Sequence, residues 1–259
     1  MKKPLILVTN DDGITAPGLL ELVRIMSEIG EVVVVAPDSP QSGMGHAITL
    51  DSTLHAKKVK INTKKEAPIA YSCSGTPADC VKLGLQEILN KKPDLVVSGI
   101  NHGSNSSINV IYSGTMSAAI EAGIDGISAI GFSLCDYTWD ADFSSTKKTV
   151  KKIVLEALKN GIPKGTVLNV NIPKTDGIEP KGIKICRQAK ANWREKFDKR
   201  SSPSGREYYW LTGEFELQDN GEDTDIHALN NGYVSIVPTQ FDLTAYKAIK
   251  EVTNWNLND

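Results

Sequence analysis

Runs of consecutive apolar residues alternate with amphipathic stretches through the first 135 or so positions of the chain. LILVT (5–9), EVVVVAP (31–37), DLVVSGI (94–100) and GISAIGFS (126–133) lack polar alternation, which predicts strands buried on both faces. Between them, APGLLELVRIMSEIG (16–30) places Leu19, Leu22, Val23, Met26 and Ile29 at helical spacing, with Gly30 as a natural stop. TPADCVKLGLQEILNKKP (76–93) predicts a second helix, with Thr76 as cap and Pro77 in the first position. SGTMSAAIEAG (113–123) predicts a third. The segment 46–72 alternates more loosely and reads as a β excursion.

Strand–helix–strand units of this kind predict an α/β fold: a doubly wound, Rossmann-like, mostly parallel sheet in a three-layer arrangement with right-handed crossovers. The Gly-x-Gly-x-x-Gly turn of dinucleotide sites is missing after the first strand, so that ligand class is unsupported. From about 144 the texture changes. One more amphipathic helix (144–161) and one more strand, TVLNVNIP (166–173), are followed by GIKICRQAK, REYYWLTGEFEL and GYVSIVPT, which read as β structure with long polar connections. AYKAIKEV (245–252) closes with a short helix. The stretch 190–206 is polar, basic and rich in turn formers, and reads as a mobile loop or an arm. The expected organisation is one domain over 1–259, with a Rossmann-like core in 1–180 and a β-rich segment with a role in oligomerisation in 181–259.

Composition narrows the function classes. The chain has 259 residues, 40% hydrophobic and 23% charged, which suits a soluble globular protein with a sizeable core. A formal net charge of −2 argues against a broad nucleic-acid or membrane surface. No apolar run is long enough to span a bilayer, and the one after Lys2 and Lys3 breaks at Thr9 and Asn10, too early for a signal peptide. A cytoplasmic location is therefore expected. Cys73, Cys80, Cys135 and Cys186 form no Cys-x-x-Cys pair and no zinc spacing, so they read as reduced, partly buried thiols.

In an open parallel sheet, ligands gather beyond the carboxyl ends of the strands. The first strand exits into Asn10, Asp11, Asp12 and Gly13; the second into Asp38, Ser39, Ser42 and His46; the 94–100 strand into Asn101, His102 and Asn105. Two adjacent carboxylates repel, so they must hold a cation or stay in water. In isolation, Asp-Asp-Gly is ordinary turn chemistry, with Asn10 capping the next helix. Convergence of three oxygen-rich exits favours a hard cation, Mg²⁺, Mn²⁺ or Ca²⁺. Ser113, Gly114 and Thr115 open a small-residue helix whose free N–H groups make an anion site or, read alone, an ordinary cap; Ser74–Thr76 repeats the same Ser-Gly-Thr text before another helix. His46 and His102 stand out among four histidines only because they lie on exit loops. A cation beside an anion-binding helix end is the layout of metal-assisted phosphoester hydrolysis. Neither a P-loop nor a Gly-x-Ser-x-Gly elbow is present.

VTNDDGI, VVAPDSPQSGMGHAIT, SGTPADCVKLGL, DLVVSGINHGSN, YSGTMSAAIEA, YYWLTG and DTDIHALNNGYVSIVPTQFDLT, in this order over nearly the whole chain, closely resemble the survival protein E (SurE) family of nucleotidases. The resemblance implies a metal-dependent phosphatase of nucleoside 5′- and 3′-monophosphates, some members of the family also shortening polyphosphate. It implies one divalent ion per subunit (Mg²⁺ or Mn²⁺) on Asp11, Asp12, Ser42 and Asn101, with Ser42 chosen over Ser39 because it begins the Ser-x-x-Gly-His pattern that ends at His46. It further implies a homodimer or homotetramer built through C-terminal elements. The expected mechanism is attack by metal-bound water, with Asp11, Asp12 and Asn101 as the catalytic set. Asn10, Gly43, His46, Ser113, Gly114 and Thr115 are the expected substrate contacts. His102 stands where the family often carries Arg and offers positive charge only when protonated. Three other readings compete. A haloacid-dehalogenase-type phosphatase wants Asp-x-Asp and a distant lysine; a glycosyltransferase would consume a sugar nucleotide; a non-catalytic nucleotide-binding protein would bind without turnover.

Overall fold

The protein is described by a computed structural model covering residues 3–63, 68–174 and 177–257. Lys2 and positions 64–67 of the expected β excursion lie outside the described residues.

The central sheet has nine strands in the order β3-β4-β2-β1-β5-β6-β7-β11-β8. These are β1 (Leu5–Thr9), β2 (Glu31–Pro37), β3 (Ala56–Val59), β4 (Ile69–Cys73), β5 (Leu95–His102), β6 (Ala129–Cys135), β7 (Thr166–Pro173), β8 (Ile183–Ile185) and β11 (Val234–Gln240). β1 is parallel to both β2 and β5, with Leu7 opposite Val33 on one side and Val96 on the other. Only β3 against β4 and β11 against β7 are antiparallel. The order reverses between β2 and β5, on either side of β1, which is where an open sheet leaves a crevice at its carboxyl edge.

Alternate residues of β1 explain its unbroken apolar run. Ile6 and Val8 join the core under helices α1 (Pro17–Ser27) and α4 (Lys147–Asn160), while Leu5 and Leu7 join the core under α2 (Pro77–Leu83) and α3 (Gly114–Ile124). Both faces are covered, so the fold is three-layered and mostly parallel, as the strand patterns predict.

The expected helix over 76–93 is shorter than its pattern. Thr76 caps α2, accepting the Asp79 N–H at 3.2 Å while Asp79 reaches back to the Thr76 N–H at 2.9 Å. After Leu83 the chain forms one wide π turn (84–88) and is extended by Leu89. Pro93 explains why no helix continues through the end of the predicted stretch, because proline lacks the N–H and pushes its predecessor out of helical geometry. Replacing Thr76 by Ala would remove the cap and its 2.7 Å bond to the Ala47 carbonyl. We expect a loss of about 1–2 kcal/mol, read as a lower Tm in thermal denaturation.

Of the two readings of 190–206, a mobile loop or an arm, the structure shows the arm, built as a β-ribbon. β9 (Ala191–Ser201) and β10 (Glu207–Leu217) pair antiparallel along their full length, from Ala191 opposite Leu217 to Ser201 opposite Glu207, forming an arm apart from the main sheet. Its polarity misleads because the ribbon buries little. Cross-strand contacts hold it instead: Trp193 against Phe215 (ring centroids 5.4 Å apart), Arg194 with Glu216, and Lys199 with Glu207. The sequence pattern also missed α5 (Asp225–Asn230), a short helix capped by Thr224. The final helix is α6 (Tyr246–Thr253), none of whose residues is buried. All four cysteines are free, and only Cys135 is less than fully buried.

Candidate active site

β1 delivers Asp11 and Asp12 at the reversal point. Gly13 has φ +99°, a bend open to glycine at little cost, and the Ile14 N–H then bonds the Pro37 carbonyl at the end of β2 at 2.8 Å. Asn10 does not cap α1. Its amide donates to the Gly13 carbonyl at 3.0 Å and stiffens the turn, while Ala16 occupies the cap position without a side-chain bond.

Three elements close on the two carboxylates. Thr115, in the first turn of α3, donates its hydroxyl to Asp11 Oδ1 at 2.5 Å. The backbone of Gly114 lies so close that a Cβ there would stand 2.7 Å from the Asp11 Cβ. From the loop after β2, the Gln41 N–H, one residue before Ser42, reaches the Asp11 carbonyl at 2.7 Å. From β5, the His102 N–H donates to Asp12 Oδ2 at 3.2 Å, and the buried Asn101 donates its amide nitrogen to the Gly103 carbonyl at 2.8 Å.

The electrostatics are one-sided. Burial, and then the charge of Asp12, push the Asp11 carboxyl up from the usual 3.8 to about 6, against the pull of the Thr115 hydroxyl. Burial also raises Asp12, opposed by the His102 N–H and the His102 side chain. Among the described residues no lysine or arginine pairs with either aspartate. Next to them, Thr9 Oγ1, Asn10 Oδ1 and Ser98 Oγ are buried with no hydrogen-bond partner. Buried negative charge on Asp11 without a counter-ion among the described residues suits a hard cation better than it suits an apolar or anionic occupant.

The remaining expected residues are placed unevenly. Ser42 and Gly43 are exposed on the loop after β2, and a Cβ added at Gly43 would meet open space. His46 pairs with Glu121 at 2.8 Å instead of lining the Asp11 side directly. Ser113 accepts the Met116 N–H and so serves as the helix cap. The hydroxyls of Ser113 and Thr115 are thus both engaged, and the backbone N–H groups of α3's first turn are what this element can offer an anion. In Ser74–Thr76, the repeated text, Thr76 caps α2 and bonds the Ala47 carbonyl of the loop. His102 sends its ring to the Thr138 carbonyl at 2.6 Å. The sequence reading missed Glu121, Lys82 and Thr138. A glutamate inside an otherwise small and apolar helix was the available signal for the first.

The family model for survival protein SurE matches residues 6–195, which includes every side chain of this site. The chain belongs to the SurE family. Two curated SurE relatives carry the name 5′-nucleotidase SurE: that of Flavobacterium psychrophilum, 67% identical over 258 residues and covering all of both chains, and that of Christiangramia forsetii, also 67% identical over 258 residues, covering all of this chain and 99% of its own. The crystal structure of the SurE protein from Aquifex aeolicus superposes with a TM-score of 0.82 at 43% identity, over 96% of this chain and 98% of that one. The SurE match ends within β9, so the outer part of the arm lies beyond the family model.

Proposed function

We propose that this protein is a metal-dependent phosphatase that hydrolyses nucleoside 5′- and 3′-monophosphates and also trims polyphosphate. The observation that carries the reading is the buried Asp11, seated against the N-terminus of α3 beside the half-buried Asp12, with no lysine or arginine paired to either among the described residues. The name 5′-nucleotidase on relatives of full length supports it.

The residues fit a single Mg²⁺ or Mn²⁺ held by Asp11, Asp12, Ser42 and Asn101. Asn101 has spent its amide nitrogen on Gly103, which leaves its oxygen for a cation. Bound there, the ion supplies a Lewis acid and makes a nearby water more acidic. The chain does the rest. Gly114 and Thr115 present N–H groups and the positive helix end to the phosphoryl oxygens, where charge grows in the transition state. Asn10 stiffens the turn beneath them, and Gly43 and His46 border the same space from the loop. An Asp12 carboxylate raised by burial is suited to accept a proton from the attacking water.

The same proposal places the protein in the cytoplasm as a homodimer or homotetramer, with 1–180 as catalytic core and 181–259 as the assembling segment. Among the described residues no helix is long and apolar enough to cross a membrane. The arm exposes Phe197, Tyr209, Trp210 and Leu211, apolar surface that a second copy would cover.

The test is inorganic phosphate release by metal-stripped protein from 5′- and 3′-nucleoside monophosphates and tripolyphosphate, with and without added Mn²⁺ or Mg²⁺. Release that requires metal is expected, with 5′-monophosphates among the substrates. Nucleotide binding with no turnover under any metal would overturn the proposal in favour of a binding protein.

A further inference from the structure

Glu121 is buried in α3, its side chain only 6% exposed, among Ala118, Ala119 and Ala122 of the same helix. Its two carboxylate oxygens are divided between two other elements. His46 Nε2 meets Oε2 at 2.8 Å, and Lys82 Nζ, from α2, meets Oε1 at 2.5 Å. Those bonds, His46 first, hold the carboxyl below its ordinary value, so it stays ionised. None of the roles assigned above accounts for this arrangement.

His46 belongs to the loop that carries Ser42. The two ends of that loop are pinned independently. At the start, the Asp38 N–H bonds the Cys73 carbonyl at 2.8 Å and the Gln41 N–H bonds Asp11. At the end, Thr76 bonds the Ala47 carbonyl and Asp79 takes both the N–H and the hydroxyl of Thr49, at 3.1 and 2.6 Å. Between them, Ser42, Gly43 and Met44 are exposed, and Gly43 and Gly45 have φ of +74° and +55°. Among the described residues this middle stretch has two ties to the body of the protein: the 3.2 Å bond from the Gly45 N–H to the Tyr112 carbonyl, and His46 on Glu121. The second involves an ionised acceptor shielded from water and is the stronger.

We propose that Glu121, backed by Lys82, is a positioning residue that latches His46 and thereby fixes the Ser42-bearing loop over the Asp11–Asp12 pair. The inference rests on the metal-dependent reading for what Ser42 does there. Glu121 sits on the helix whose first turn touches Asp11, so one helix sets both the floor of the site and the reach of the loop. Lys82 keeps the buried carboxylate from being left without a partner when His46 moves away.

Glu121→Gln keeps the shape and removes the charge. Hydrogen exchange of the peptide spanning 41–49, which contains the bonded N–H groups of Gln41, Gly45 and Thr49, should quicken by about 10-fold, while the amides of 114–124 keep their protection. The dissociation constant for Mn²⁺, measured by calorimetry on the metal-stripped protein, should rise by about 10-fold, with kcat at saturating Mn²⁺ within about 2-fold of the native value, because Glu121 touches neither substrate nor metal. Lys82→Met should move both readouts the same way by less. Unchanged exchange over 41–49 in Glu121→Gln would overturn the proposal, as would loss of protection along the whole of α3, which would mean a destabilised helix. If the native protein itself binds no Mn²⁺, the metal reading fails on that protein alone, and the exchange result still decides the latch.

Discussion

Asp11→Asn should abolish metal-dependent phosphate release and make the metal-free protein more stable at neutral pH. Most single substitutions at a buried polar site do the opposite to stability, so the paired outcome is specific. In the native metal-free fold Asp11 is raised to about 6, whereas the unfolded chain releases that proton near 3.8. Between those two pH values the folded state holds a proton that the unfolded state has lost, so stability falls as pH rises through the window. Above pH 6 the accumulated loss is about 3 kcal/mol. Asparagine carries no charge, can still accept the Thr115 hydroxyl, and escapes that loss. Thermal melts of native and Asp11→Asn protein, both metal-stripped, should coincide at pH 4 and separate by pH 8, with the variant higher. Added Mn²⁺ should raise only the native Tm, because a ligand stabilises the state it binds. The activity side follows from the same charge: losing a cation's contribution of about 4 kcal/mol to the transition state is about 10³-fold in rate. A variant that melts lower at pH 8, or that keeps native turnover, would remove Asp11 from the metal-binding role.

Much of this architecture can be read directly from the residues, and the exceptions have physical causes. β1, β2, β5 and β6 were legible because strands buried on both faces must be apolar throughout, and α1 because its buried side repeats at helical spacing. At the first strand of the arm the sequence leaves loop and arm both open, because an exposed ribbon places no demand on polarity: Arg194, Lys196, Asp198 and Arg200 are as acceptable there as in a loop, and only the pairing with β10 reveals the strand. The site shows the same divide. Convergence of Asn10–Gly13, the loop after β2 and Asn101 follows from the rule about strand ends, and the structure connects all three through Gln41 and His102. Which atom of a residue faces the site was not legible. Thr115 reads as a phosphate contact, yet its hydroxyl is bound to Asp11; His46 reads as a substrate contact, yet its Nε2 is bound to Glu121. Such partners lie 104 and 75 positions apart, beyond the range of any local pattern.

Gly114→Ala should damage the site by geometry alone, leaving every charge in place. On helix propensity the change is favourable, since alanine is better than glycine by up to about 1 kcal/mol in a helix. Contact distance decides otherwise. The added methyl would stand 2.7 Å from the Asp11 Cβ, closer than real Cβ atoms approach, and a tight 3.0 Å from its Oδ2. Asp11 cannot yield easily, because it follows a fully buried strand and its carbonyl is bonded to Gln41. The start of α3 must therefore move outward, carrying the Thr115 hydroxyl away from Asp11 and the first-turn N–H groups away from the phosphate position. Overpacking of this kind costs about 1–3 kcal/mol of stability, and a displacement approaching 1 Å in a reacting geometry costs about 10²-fold in kcat/KM. Steady-state kinetics with a nucleoside 5′-monophosphate and a Mn²⁺ titration separate the two consequences. A fall in kcat with Mn²⁺ affinity nearly unchanged would assign the loss to the phosphate contacts of α3; weakened Mn²⁺ binding would assign it to a displaced Asp11; full activity with both constants native would show that the close approach of Gly114 has no part in catalysis.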